Sequence, residues 1–476
     1  MFGWIPVVLM LFAILPPRRA VVLAYVAGWL FLPVAAFKIA GIPAYDKHAA
    51  TVLPILLGVA FFDSRRLLAF RFRWWDIPML VLCLCPILSS LSNAKGLYDG
   101  LSGTATQIVL WGVPYFIGRI CFNDLDGLKE LAWGVLIGGL IYVPLCLWEV
   151  RMSPQLHKQL YGYHQHNFLQ HMRDGGYRPM VFMQSALMIG YWMASAAIVC
   201  AAGWRSGAFS RVFGVPVLWV LAALLVTTLL CKAMFAIVLM LAGLAIVLVV
   251  RRRSWPVLLV AALIPAYMTV RVCEIVPRAS IVSAVASVTN AERTGSLEAR
   301  LIQEDLFSEK AMQQPFFGWT GWDFFPLDEQ GNRRTRGVDG LWTITLGTFG
   351  LTGLTSLTLA MLIPVVLFVR SYPVRFWRRP DIALPAAAAI LLVLWMWDCL
   401  LNGMLNPIYV SIAGGLVGVS AVRNGTQKVR ARLQAYRAFR RRQAPAFAAP
   451  ASVRPAGVLS DDRFPGKRGV INGFQE

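Results

Sequence analysis

Acidic side chains are scarce in this chain. Its 476 residues hold 24 Asp and Glu against 45 Lys and Arg, and charged residues of both signs reach only 14%. Soluble globular domains carry about a quarter charged residues, so that class is excluded. Histidine is scarcer still, with five in all, and no H-E-x-x-H pattern occurs. The eight Cys, at 83, 85, 121, 146, 200, 231, 273 and 399, form no C-x-x-C and no His-paired spacing. They argue for neither a disulfide framework nor a metal site. Alternating stretches of about 10 residues, the signature of a transmembrane barrel, are missing as well.

What the chain has is apolar length. Hydrophobic residues make up 58%, with 17 Trp, and the mean hydropathy is +0.61. Apolar runs of about 16 to 25 residues recur, each long enough to cross roughly 30 Å of hydrocarbon as a helix. Helix is the spanning structure that satisfies its own backbone. The expected fold is therefore all-α, a polytopic integral membrane protein with about 12–13 transmembrane helices. Spans are expected near 1–16, 20–42, 51–63, 77–93, 104–122, 131–150, 180–203, 215–231, 233–250, 255–272, 342–369, 382–402 and 407–422. The run Met1–Pro16 is followed, not preceded, by its positive charge, so it reads as a first span rather than a signal peptide.

This divides the chain into N-terminal helices 1–150, a first large loop 151–179, central helices 180–272, a second large, partly helical loop 273–341, C-terminal helices 342–422 and a basic tail 423–476. Short basic loops fall on alternate sides of the spans: Arg18 and Arg19, Arg65 to Arg73, Arg119 and Lys129, Arg205 and Arg211, Arg251 to Arg253, and Arg370 to Arg379. The positive-inside rule makes that side cytoplasmic and places both large loops on the opposite face. The formal charge of +21 thus reflects membrane topology, and no nucleic-acid partner is expected. In the tail, Val429, Leu433, Tyr436 and Phe439 recur at helical spacing between basic residues. That suits a helix on an anionic leaflet, with a solvated basic tail as the open alternative. From Ala444 on, the Pro, Ala and Gly content favours disorder.

Several polar groups stand out against this background. The first large loop holds four of the five His, at 157, 164, 166 and 171, which read as sugar contacts or ordinary loop polarity more readily than as zinc ligands. Arg178 follows a Gly-Gly turn directly before a span; it is either a bidentate phosphate contact or an interfacial anchor. Lys232 stands alone between two apolar runs, as a membrane-end marker or a ligand contact.

In the second loop, SLEARLIQEDLFSEKAM has helical periodicity, with Arg300 and Glu304 at i, i+4 and Leu297, Leu301 and Leu306 toward its buried side. The aromatic turn PFFGWTGWDFF, with Trp319 and Trp322, suits a membrane interface or a sugar ring. Arg333, Arg334, Arg336 and Asp339 then lead into the next span. Arginines beside a lone carboxylate at the water boundary fit an anionic leaving group and a base for an attacking hydroxyl. Asp398, inside LLVLWMWDCLLNGMLNP, is either functional or tied to Asn402 or Asn406 in a helix-helix hydrogen bond.

The pattern GYRPMVFMQ, the isolated Lys232, SLEARLIQED…KAMQQPFFGW, RGVDGLWTITLGTFGLTGL and DCLLNGMLNP resembles the O-antigen ligase and polysaccharide polymerase superfamily from about Tyr161 to Gly415. The resemblance implies a glycosyltransferase of the bacterial inner membrane that moves a glycan from an undecaprenyl-pyrophosphate donor on the periplasmic face, with no cofactor and no metal. Arg178, Lys232 and Arg300 occupy the positions that hold the pyrophosphate in the family. Lipid A-core ligases usually carry His where this sequence has Asp339, and many exopolysaccharide-type relatives carry His where it has Ser185. The first departure favours a polymerase over a ligase. In that reading Asp339 and Asp398 are the catalytic candidates, and Arg336, Glu304, Trp319 and Trp322 face the sugars. The implied partners are the lipid-linked donor, the glycan acceptor, membrane lipids, and flippase and chain-length or export proteins of the same pathway. A transporter for the same lipid is the alternative outside the enzyme class, although no internal repeat is evident.

Overall fold

The computed structural model describes residues 1–39, 42–166, 168–173, 175–287, 289, 291–321, 323–325 and 339–421. Trp322, Arg333, Arg334, Arg336 and the basic tail lie outside the described residues. The rest is a mostly helical bundle with three short hairpins.

Among the described residues six helices are long and apolar enough to cross a membrane: Trp74–Ser92, Leu125–Met152, Ala186–Ser206, Trp255–Val272, Leu341–Ser371 and Ala383–Leu401. Shorter apolar helices, Trp4–Ile14, Lys47–Phe62, Val217–Leu230, Met234–Val249 and Pro407–Ala421, occupy other expected spans. Two helices sit deepest. Ala186–Ser206 and Ala383–Leu401 are built largely of Ala, Gly, Leu and Trp and are buried almost all round. Small residues let the backbones close up: Gly190 faces the Cβ atoms of Ala233 and Ala236, and Gly243 faces Ile198.

Several expected spans are broken, each for a local reason. The run 20–42 ends as helix at Phe31, and Ala36–Ile39 pairs with Ile42–Asp46 as an antiparallel hairpin. Pro33 and Pro43 stop helix propagation there. The next helix starts earlier than expected, at Lys47, because the Asp46 carboxylate caps Ala49 N–H at 2.8 Å. The expected span 104–122 divides into Leu97–Gln107, a π turn at Ile108–Gly112, and Val113–Cys121 with Pro114 in its first turn. The run 180–203 starts as helix only at Ala186, where the Ser185 hydroxyl accepts from Leu187 N–H at 3.2 Å. Ser185 is thus an N-cap in this chain.

One of the basic residues used to read topology is not an exposed charge. Arg119 is 7% exposed and binds Asp76 through Nε at 2.8 Å and Nη2 at 3.2 Å, while Tyr115 donates to the same carboxylate at 2.7 Å. The pair neutralises itself inside the bundle.

The second loop carries helices Arg278–Ala286 and Ala291–Met312. The buried stripe of the longer one is Leu301, Glu304, Phe307, Ser308 and Ala311, at i, i+3, i+6, i+7 and i+10. Leu306, expected on that side, is 43% exposed. Glu304 takes its place, because Arg271 on the neighbouring helix Trp255–Val272 supplies the counter-charge that lets a carboxylate enter the core.

Candidate functional site

Two groups of polar side chains converge on ends of the deepest helices. The first is built by the loop after Leu125–Met152. Glu149, fully buried near the end of that helix, accepts from Met180 N–H and Val181 N–H at 2.7 Å each and from Leu156 N–H at 3.0 Å. One carboxylate therefore ties both ends of the loop to the helix beneath it. Lys47 completes the clamp by donating to Phe182 O at 2.7 Å, with its ammonium over the Trp29 ring. His157 accepts from Val34 N–H at 3.2 Å and lies 2.9 Å from Tyr163 O, contacts that assign the proton to Nδ1. Burial pushes its pKa down. His157 is therefore a structural bridge in this loop.

Within that frame Met172–Arg173 and Gly176–Tyr177 form a minimal hairpin around Gly175, whose φ of +68° a side chain would strain. Arg178 leaves the hairpin buried, 6% exposed, and its backbone N–H donates to His171 O at 2.8 Å. A Cβ on Gly176 would sit 2.7 Å from Lys232 Nζ, so the lysine reaches onto the hairpin from the turn after Val217–Leu230. His171 is buried, and among the described residues neither ring nitrogen has a hydrogen-bond partner. Burial, followed by the neighbouring His166 and the Arg178 guanidinium, pushes its pKa down to about 4. The structure thus brings Arg178 and Lys232 to one turn and adds a neutral imidazole beside them. That set of donors suits a phosphate-type anion.

The second group surrounds a small pocket lined by Arg300, Gln303, Glu304, Asp339, Gly340, Thr343 and Leu401. Helix Leu341–Ser371 begins against the end of helix Ala383–Leu401: a Cβ at Gly340 would lie 2.6 Å from Leu400 O, and one at Gly403 would lie 3.1 Å from Asp339 O. Asp339 and the Asp398–Gly403 segment therefore share one corner. Arg300 Nε stands 3.9 Å from Asp339 Oδ2, a long pair whose carboxylate side chain is 58% exposed. Asp398 differs sharply. It is 2% exposed and accepts from Asn402 Nδ2 at 2.9 Å; Asn402 is the C-cap of the same helix, so this bond is i, i+4 and not the expected link between helices. Asn406 instead caps the last helix through Ile408 N–H at 3.0 Å. The second oxygen of Asp398 and the carbonyl oxygen of Asn402 are buried without a protein partner. A buried unpaired acceptor costs about 1–3 kcal/mol, so such atoms mark a place for a proton, a water or a ligand.

The expected i, i+4 pairing of Arg300 with Glu304 is replaced by a deeper arrangement. Glu304 Oε2 accepts from Tyr267 at 2.9 Å and from Arg271 Nε at 3.1 Å. Arg271 also pairs with Asp305, which Arg278 meets at 2.9 Å. Burial raises the Glu304 carboxyl pKa against these donors. Glu304 pins the loop helix to the bundle, and Arg300 is left to face the pocket.

Trp319 is likewise held from several sides. Its indole N–H donates to Lys310 O at 2.8 Å, its ring lies under the Lys310 ammonium, and its backbone N–H donates to Gly347 O at 2.8 Å. The whole turn Pro315–Thr320 docks on a break in helix Leu341–Ser371 at Gly350, where Leu351 N–H and Thr352 N–H donate to Pro315 O and Phe316 O at 2.6 and 3.2 Å. Those freed groups would otherwise be unsatisfied in the bundle.

Helix Ala186–Ser206 connects the two groups. It starts eight residues after the buried Arg178 and packs on Ala383–Leu401, where Tyr191 donates to Leu391 O at 2.6 Å. Sequence reasoning missed Glu149, Arg271 and Lys47. Each stands at the end of an apolar run, Lys47 beside Asp46 and Glu149 two residues before Arg151. Among the described residues no three His, Cys, Asp or Glu gather as a metal site. Searches against protein-family models and curated proteins give no match to this chain.

Proposed function

We propose that this chain is a membrane glycosyltransferase that polymerises undecaprenyl-pyrophosphate-linked oligosaccharide repeat units into an exopolysaccharide or O-antigen chain. The observation that supports the reading is that two polar groups gather about one helix. Arg178 and Lys232 meet at one turn beside His171, and Arg300 and the exposed Asp339 line a pocket next to the helix end that carries the buried Asp398.

The chemistry asks little more. An acceptor hydroxyl attacks the anomeric carbon, the bond from that carbon to the pyrophosphate oxygen breaks, and the hydroxyl proton passes to a carboxylate. Pyrophosphate is a good leaving group once its charge is neutralised, which Arg178 and Lys232 would do. Asp339, exposed at the pocket mouth, is placed for an arriving acceptor; Asp398, buried beneath, would hold or relay the proton. Attack from the face opposite the leaving group gives inversion at that carbon.

In this reading the shorter apolar helices also cross, giving about 12–13 spans, with both large loops on the periplasmic side of a bacterial inner membrane. Flippase and chain-length or export proteins of the pathway are the expected partners. The test is the lipid-linked material in a deletion strain. Single repeat units on the lipid carrier support a polymerase; long chains on the carrier would assign an O-antigen ligase; an unchanged lipid pool would remove both.

A further inference from the structure

A second cleft, of about 810 Å³, opens between helices Ile77–Ser92 and Leu97–Gln107 and the residues Thr320, Gly321 and Asp323. Its volume lies within the roughly 300–1,000 Å³ typical of ligand sites.

Helix Leu97–Gln107 is divided by face. Tyr98 and Leu101 are 69% and 52% exposed, whereas Asp99, Ser102, Gly103 and Thr106, at i, i+3, i+4 and i+7, line the cleft. This stripe is open to the cleft, with Asp99 and Thr106 exposed and Ser102 half-buried, so its polar groups are free to meet water or a ligand. Gln107 lines the same cleft, and its buried carbonyl oxygen has no protein partner. The chain passes into the π turn Ile108–Gly112 immediately after it.

The lining narrows the class of ligand. Asp99, Asp323 and Lys95 line the cleft, with Lys95 Nζ 2.5 Å from Asp323 Oδ2, and the Lys310 ammonium donates to Asp323 O at 2.7 Å. Acceptors of this wall already hold both ammonium groups, which a phosphate would need. Hydroxyls, an amide and carboxylates beside the apolar faces of Phe349 and Pro86 match the edges and faces of a sugar ring instead.

The wall is fixed: Thr320 N–H donates to Ser89 Oγ at 3.0 Å, and Asn93 Nδ2 donates to Gly318 O at 2.8 Å. Phe349 lies ten residues along the helix from Asp339, about 15 Å at 1.5 Å per residue. A short oligosaccharide bridges that distance.

We propose that this cleft binds a neutral oligosaccharide, the acceptor-side stretch of the growing glycan, with its end directed to the Asp339 corner. The inference rests on the proposed function for which glycan is bound, and on the cleft itself for the binding.

The experiment is saturation-transfer NMR on the purified full chain in detergent, using as probe the neutral oligosaccharides that mild acid releases from lipid-linked glycans of the source cells. Transfer to sugar protons is expected with the wild type and with Arg178→Ala. Ser102→Trp should bind at least about tenfold more weakly, the loss that follows from blocking two or three hydrogen bonds. Thr106→Trp, at an exposed position one turn on, carries the same arm should Ser102→Trp fail to fold. No transfer with the wild type, or equal transfer with the Trp variants, overturns the proposal. Transfer only to an added polyprenyl phosphate would assign the cleft to a lipid tail and overturn it too. Normal polymer from Arg178→Ala would sink the proposed function while leaving the sugar-binding result to stand on its own.

Discussion

Gly318 and Gly350 meet backbone to backbone, both at positive φ, +69° and +66°. A Cβ on Gly318 would lie 2.6 Å from Gly350 N, and a Cβ on Gly350 would collide with Phe316 C and O. This contact lets the loop between the two large helices plug the break in Leu341–Ser371, so that the donors freed by the break find carbonyls. Gly350→Ala should therefore destabilise by more than about 2 kcal/mol, the left-handed backbone alone costing roughly 1–2. Thermal unfolding in detergent checks it, and a midpoint within a degree of wild type would contradict the plug.

Arg271 and Glu304 should behave as a buried structural pair rather than as substrate contacts. Both side chains are under a tenth exposed. Removing Arg271 strands the Glu304 carboxylate, at a cost of about 3–5 kcal/mol, and removing the Glu304 side chain leaves Arg271 with Asp305 and opens a gap in the packing. Glu304→Ala should thus cut the folded yield, whereas Glu304→Gln, which still accepts from Tyr267, should fold and retain most activity. Loss of activity in a stably folded Glu304→Gln protein would restore the sugar-contact role expected from sequence.

His171 provides a pH signature. Its folded pKa, pushed down by burial to about 4, lies below the ordinary histidine value of 6.5, so the unfolded chain binds more protons between those values. Stability is full above about pH 6.5 and is lost as pH falls toward 4, by up to about 3 kcal/mol. The melting midpoint should drop between pH 7 and pH 4.5 and drop less in His171→Gln. Parallel curves for the two proteins would place the acid sensitivity elsewhere.

The sequence made the membrane helices legible because burial in lipid demands long apolar runs, as in Ala383–Leu401. It misjudged 20–42 and 104–122, where Pro33 and the π turn after Gln107 interrupt runs whose composition stays apolar. Of the site, Arg178, Lys232 and Asp398 were readable as lone polar residues in apolar surroundings. The partner of Glu304 was not, because Arg271 lies 33 residues away on another element and no spacing rule links them. Glu149 escaped notice for the same reason: its partners are backbone N–H groups across a loop.

Arg178→Ala should abolish chain elongation while the protein still accumulates in the membrane. The hairpin is held by Glu149 and by backbone hydrogen bonds, which the variant keeps. Lys232→Ala should act in the same direction, and Arg178→Lys should recover little, since one ammonium cannot supply two parallel donors. Polymer of normal length in Arg178→Ala, read on a gel of cell-surface glycan, would remove this turn from the site.

Asp398→Asn separates a proton-holding role from a packing role. Its Oδ1 can still accept from Asn402 Nδ2, as the carboxylate does at 2.9 Å, and the substitution keeps the side-chain shape. The new amide N–H replaces an oxygen that has no protein partner. Folding should therefore be near normal, within about 1 kcal/mol. If the carboxylate takes or relays the acceptor proton, turnover should fall at least about 100-fold, the usual contribution of a general base. Asp339→Asn, in the neighbouring pocket lined by Arg300 and Leu401, should match that loss if Asp339 is the first acceptor of the proton. Full turnover in Asp339→Asn beside a dead Asp398→Asn would assign the base to Asp398. Full turnover in both would exclude this corner from catalysis. The measurement is conversion of lipid-linked repeat units by purified variants, normalised to folded protein.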